Sequence, residues 1–87
     1  MAMMTQVTDN TADGRYELTE QGETAYADYH RKDGKLMIDY VFSPPALRGQ
    51  GTSGRLMTGM VADAEARGET IVPICGYAVA WMKRRKA

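Results

Sequence analysis

The chain has 87 residues, 44% of them hydrophobic, and its eleven basic side chains balance eleven acidic ones. A chain of this size buries only about 60–65% of its unfolded surface, so it supports one small domain with a modest core and excludes a second. Charge neutrality excludes the electrostatic footprint of a nucleic-acid binder. One cysteine excludes an internal disulfide, and no Cys/His spacing suggests a metal site. No apolar run approaches the length of a bilayer span, so a soluble, unexported protein of a reducing cytoplasm is expected, with no membrane or nucleic-acid partner.

Residues 1–13 are polar, unperiodic and free of aromatics, which predicts a flexible N-terminal tail ahead of a domain over residues 14–87. From Arg15 to Thr19, alternation puts Tyr16 and Leu18 on one face of a first strand, closed by a Gln21-Gly22 turn. From Glu23 to Arg31, Ala25, Ala27 and Tyr29 alternate with Tyr26, Asp28 and His30. Asp33-Gly34 then predicts a hairpin into a third strand over Lys35 to Ser43. There Leu36, Ile38, Tyr40 and Phe42 are expected on one face, and Met37, Asp39 and Val41 on the other. Pro44 and Pro45, which have no N–H to donate, end it.

Beyond a glycine-rich loop, the spacing of Leu56, Met57, Met60, Val61 and Ala64 predicts a helix from Thr52 to Arg67, with Gly68 as its C-terminal cap. Glu69 to Cys75 reads as a short strand whose centre, Ile71-Val72-Pro73-Ile74, is apolar throughout. Strand, helix, strand implies a right-handed parallel crossover. A final helix from Tyr77 to Arg85 sets Tyr77 and Trp81, and Ala78 and Met82, four apart. The basic run Lys83-Arg84-Arg85-Lys86 at its end suits the helix dipole. The expected fold class is α/β, or α+β by another convention. It comprises three antiparallel strands, a crossover helix, a parallel fourth strand and a short C-terminal helix.

The loop carries the chemistry. Gly49-Gln50-Gly51-Thr52-Ser53-Gly54 leaves backbone amides bare at a helix entrance, where the dipole also favours an anion, so a phosphate or pyrophosphate cradle is expected. The loop satisfies G-x-G-x-x-G. A dinucleotide fold, however, needs a second βαβ half and an acidic residue ending the next strand, and here that strand ends at Cys75. A Walker A loop needs a lysine and a hydroxyl where Arg55 and Leu56 stand. Nucleotide hydrolysis is not expected.

Arg48-Gly49-Gln50-Gly51-Thr52-Ser53 resembles the R-x-x-G-x-G/A pyrophosphate loop of the GNAT superfamily of N-acetyltransferases. Ala25-Tyr26-Ala27-Asp28-Tyr29, the segment from Pro44 to Gly51, and Val72-Pro73-Ile74-Cys75 resemble a small, single-domain GNAT-like family, over roughly Arg15 to Arg85. The resemblance implies a minimal GNAT-like fold that transfers an acetyl group from acetyl-CoA to an unidentified amine. It implies a coenzyme A thioester with its pyrophosphate on the amides of Arg48, Gly49, Gln50, Gly51, Thr52 and Ser53. The pantetheine arm would run past Ser43, between the third and fourth strands. Serine stands at 53 where the motif has glycine or alanine, and at 43 where a branched aliphatic is common.

The same resemblance puts Cys75 beside the thioester, either as an acyl-accepting thiol or as a buried packing residue. Tyr77 becomes the acid for the departing thiolate, or a core partner of Trp81. His30, Asp28 or Asp39 would take the amine's proton, or His30 is a strand-edge histidine with no part in the chemistry. Helices that build the acceptor site in larger relatives have no counterpart in the sequence. That leaves a second reading, a CoA- or acyl-CoA-binding module with little or no catalysis, completed by a partner or a homodimer.

Overall fold

Period-two alternation builds the sheet. In the computed structural model, which describes residues 7–86, β2 (Arg15–Glu20), β3 (Glu23–Lys32) and β4 (Lys35–Phe42) form an antiparallel meander. Its turns are tight because Gln21 and Gly22 (φ 53° and 76°) and Asp33 and Gly34 (φ 53° and 77°) take the left-handed geometry that follows strand twist. The chain crosses through α1 (Thr52–Ala66) to β5 (Thr70–Pro73), which runs parallel to β4, and ends in α2 (Gly76–Lys86). The result is an α+β fold of the kind the resemblance implied, on a mixed five-stranded sheet whose strands lie in chain order.

The sheet has one strand more than expected, because part of the stretch read as a flexible tail pairs with it. Thr8–Asn10 form β1, antiparallel to β2, with Thr8 opposite Glu17 and Asn10 opposite Arg15. Side chains hold this edge rather than an apolar alternation. The Asp9 carboxylate accepts from the Tyr29 hydroxyl and, at 3.2 Å, from Arg31. Val7 lies over Gly59, where an added Cβ would stand 2.5 Å from its Cγ2. The rest of the tail reading, residues 1–6, lies outside the described residues.

A second difference lies in β4. Tyr29 pairs with Ile38 but Asp28 pairs with Tyr40, so Asp39 is an extra, bulged residue. Alternation reverses there. Leu36, Ile38 and Val41 face the core, whereas Phe42, opposite Tyr26, joins the other face together with Tyr40.

Both helices lie on one face. Tyr16, Leu18, Ala25, Ala27, Leu36 and Ile38 from the sheet share one cluster with Leu56, Met57, Met60, Val61 and Ala64 of α1 and Ala78 of α2. Burying each of the larger side chains contributes about 1.5–3 kcal/mol. No helix covers the opposite face among the described residues. There Tyr26 packs on Phe42 with ring centroids 5.1 Å apart, Arg15 lies over Tyr26, and Tyr40 is 52% exposed.

The two ends of α1 differ. At its C-terminus Gly68 (φ 79°) closes a Schellman turn, with Glu69 N–H donating to Ala64 O at 3.0 Å and Gly68 N–H to Glu65 O at 2.9 Å. Beside it Tyr16 donates to Asp63 at 2.6 Å. Arg31 donates to Glu69 at 2.7 Å and to the Tyr16 oxygen at 2.9 Å. The N-terminus has no such closure: Gly51 takes the cap position in a left-handed conformation (φ 78°) and no side chain caps the helix. No helix among the described residues is long and apolar enough to cross a membrane.

Candidate active site

The site begins where two strands part. β4 and β5 pair from Lys35 and Thr70 to Ile38 and Pro73. Pro73 has no N–H, and the next two amides, Ile74 and Cys75, both donate to Ile38 O, at 3.0 and 3.3 Å, so the chain curls away. β4 continues to Phe42 paired with β3 but with no strand on its other edge, and its bulge at Asp39 falls at the point of separation. Peptide groups along that margin are left for a partner outside the sheet.

The glycine loop closes the opening. A 3-10 turn at Pro45–Leu47 leads in, with Arg48 N–H donating to Pro45 O and Gln50 N–H to Leu47 O. Gly49 (φ 80°) and Gly51 (φ 78°) then reverse the backbone in a way that side chains resist. Among the described residues, the amides of Gly49, Gly51, Thr52, Ser53 and Gly54 meet no acceptor. These five residues line a cleft of about 250 Å³, together with Ser43, Leu47, Arg48 and Tyr77. The set of free donors differs from the one expected: Arg48 and Gln50 have engaged amides, and Gly54 joins.

Gln50 itself stays outside the cleft lining. Its side chain donates to Ala46 O at 2.9 Å and accepts from Gln21 at 2.7 Å. Arg48 donates through Nε to Ser43 O at 2.9 Å. The Ser43 hydroxyl is buried and has no hydrogen-bond partner among the described residues, although an unmet buried hydroxyl costs about 1–3 kcal/mol.

Tyr77 reaches the cleft from the first turn of α2 and is 38% exposed. Burial raises its pKa above the ordinary phenol value, with Arg84 pulling weakly the other way, so it is protonated at neutral pH. Cys75 does not line the cleft. Half-buried against the core, its Sγ accepts the Ala78 N–H at 3.4 Å and so closes the start of α2. Of the candidate bases, His30 Nδ1 lies 2.8 Å from Asp39 Oδ2. Asp28, opposite Tyr40, also projects from the helix-free face.

Sequence reasoning missed what stands behind the loop. Glu20, at the end of β2, accepts from the Thr52 hydroxyl at 2.6 Å and from Arg55 Nε and Nη2, each at 2.8 Å. Arg55 Nη2 also donates to Gln50 O at 3.0 Å, and Thr52 is 1% exposed. Arg55 and, secondarily, Thr52 draw the Glu20 pKa down to about 2. These partners are 32 and 35 positions apart, and no local spacing announces them.

No curated protein matches the chain. A family model described as GCN5-related N-acetyl-transferase matches residues 15–87, from the first residue of β2 through the loop and both helices. With the splayed strands, the glycine loop at the helix entrance and this match over nearly its whole length, the chain belongs to the GCN5-related N-acetyltransferase family.

Proposed function

We propose that the chain transfers an acetyl group from acetyl-CoA to an amine. The observation that carries this reading is the row of amides at the entrance to α1, from Gly49 and Gly51 to Gly54, that line one cleft and have no acceptor among the described residues. A diphosphate offers only acceptors, so it fits a wall of donors beside the Arg48 guanidinium. The unpaired β4 margin suits the amide groups of a pantetheine arm, and the unmet Ser43 hydroxyl adds a polar atom along that path. The thioester supplies an activated acetyl group.

The chain's own residues divide the remaining work. The loop amides and Arg48 bind and orient the diphosphate. Backbone N–H groups of β4 beyond Ile38 polarise the carbonyl. Tyr77 holds a proton on its hydroxyl for the departing sulfur, and its raised pKa keeps that proton in place until it is needed. His30, oriented by Asp39, accepts the proton of the amine from the helix-free face. The Cys75 sulfur already receives the Ala78 N–H, which supports a capping role over a nucleophilic one. A free thiol suits a reducing cytoplasm.

One observation favours a second reading. The face carrying His30 and Asp39 is uncovered among the described residues, and Tyr40 and Ile74 are each 52% exposed there or at the strand opening. An acceptor site on that face would be completed by a second copy or a partner, and alone the domain would bind CoA without turnover. Acetyl transfer across a panel of amines separates the two, since binding without product selects the second. The cleft assignment itself is tested by Gly51→Glu, which should abolish CoA binding in calorimetry while the circular dichroism spectrum stays folded. Unchanged binding overturns it.

A further inference from the structure

The amides form one half of the electrostatics at the cleft, and a charge pair behind them forms the other. Arg55 Nη1 lies beside the loop, 3.1 Å from where a Cβ on Gly51 would stand. Its guanidinium is held by both oxygens of Glu20 and by Gln50 O. Arg48 is the one basic residue lining the cleft among the described residues, and no carboxylate pairs with it there. Amide donors stabilise an anion but carry no net charge, so the cationic side chains set the net charge of the cleft.

We infer that Glu20 is a specificity-determining residue: by neutralising Arg55 it leaves the cleft one uncompensated cation, so the cradle accepts a diphosphate esterified at both ends and discriminates against nucleotides with a free terminal phosphate. This rests on the reading of the cleft as a diphosphate site. A doubly esterified diphosphate carries about two negative charges at neutral pH, and each terminal phosphoryl group adds roughly one to two more. The Glu20 carboxylate touches the Thr52 hydroxyl, which places it roughly 7 Å from an anion on the Thr52 amide, and at water's dielectric constant a unit charge at that range is worth about threefold in affinity per ligand charge.

The test is calorimetry with dephospho-CoA, ADP and ATP, free of magnesium and at fixed low ionic strength. The natural chain should bind dephospho-CoA more tightly than ATP; equal or tighter ATP binding overturns the inference without any variant. Glu20→Gln keeps the shape and removes the charge, and should shift the ratio of affinities toward ATP by about tenfold. Arg55→Gln leaves Glu20 unopposed and should shift it by a similar factor toward dephospho-CoA. A ratio unmoved in either folded variant overturns the inference, even where dephospho-CoA binding upholds the cleft. Failure of the natural chain to bind either CoA or dephospho-CoA overturns the cleft reading instead.

Discussion

Alanine placed at each glycine of the loop should give a different result at each position. At Gly51, φ is +78° and the new Cβ would stand 3.1 Å from Arg55 Nη1. A left-handed backbone costs a residue with a side chain about 1–2 kcal/mol. Arg55 can retreat only by loosening its bonds to Glu20 and Gln50, so the total is about 2 kcal/mol or more. At Gly49, φ is +80° but nothing lies within 4 Å, which leaves the backbone cost alone, about 1 kcal/mol. At Gly54 the backbone is helical and a Cβ would meet Trp81 Nε1 at an ordinary 4.0 Å. Alanine there should stabilise by about 0.5–1 kcal/mol.

In a domain of this size 1 kcal/mol moves the Tm by about 4–8 °C. Thermal melts followed by circular dichroism should therefore show Gly51→Ala falling by about 8–16 °C, Gly49→Ala by about half as much, and Gly54→Ala rising by about 2–8 °C. Calorimetry should also show CoA affinity reduced in Gly51→Ala, because relief of the strain turns neighbouring amides out of the cleft. A Gly51→Ala protein that melts within about 2 °C of the natural chain, or a Gly54→Ala protein that melts below Gly49→Ala, refutes the reasoning.

Four further outcomes follow from contacts described above. Glu20 has a folded-state pKa of about 2 against an ordinary 4.5, so its contribution is complete above pH 4.5 and is lost as pH falls toward 2. Urea titrations across that window should find the stability gap between the natural chain and Glu20→Gln narrowing; a constant gap contradicts the Arg55 pairing. Tyr77→Phe should lower kcat by about 100-fold or more with CoA affinity little changed, whereas Cys75→Ala should lose about 1 kcal/mol of stability and keep transfer. Loss of transfer in both Cys75→Ala and Cys75→Ser would put the thiol in the chemistry. Gly59→Ala, in a helix interior where alanine ordinarily helps, should instead destabilise and speed amide exchange at Thr8–Asn10, because its Cβ would meet Val7 at 2.5 Å. A higher Tm in that variant counts against the packing of Val7.

What the sequence revealed was local. Alternation in β2 and β3, the Asp33-Gly34 turn, the stripe of α1 and the glycine at its C-terminus all act within a few residues, and each element appears where those signals put it. The bulge at Asp39 was invisible because it changes pairing with β3 rather than any residue type, yet it moves Val41 inward and Phe42 outward. β1 was hidden for a related reason: Asp9 and Val7 are held by Tyr29, Arg31 and Gly59, partners far along the chain. At the site, the loop was recognisable from glycine spacing. Which of its amides stay free was not, since that depends on the 3-10 turn engaging Arg48 and Gln50. The charge pair of Glu20 and Arg55 joins a hairpin tip to a helix and has no signature in either segment.

The contrast between the sealed and open ends of α1 bears on kinetics. The ion cluster and Schellman turn hold the far end, while the near end is braced by Glu20 on Thr52 and Arg55 and by Arg55 on Gln50 O, so the donors would stand in position for the proposed diphosphate before it arrives. Little ordering entropy is then demanded on capture. Association should run at a rate set by diffusional encounter, with a single kinetic phase, and differences among anions should appear in how long each remains.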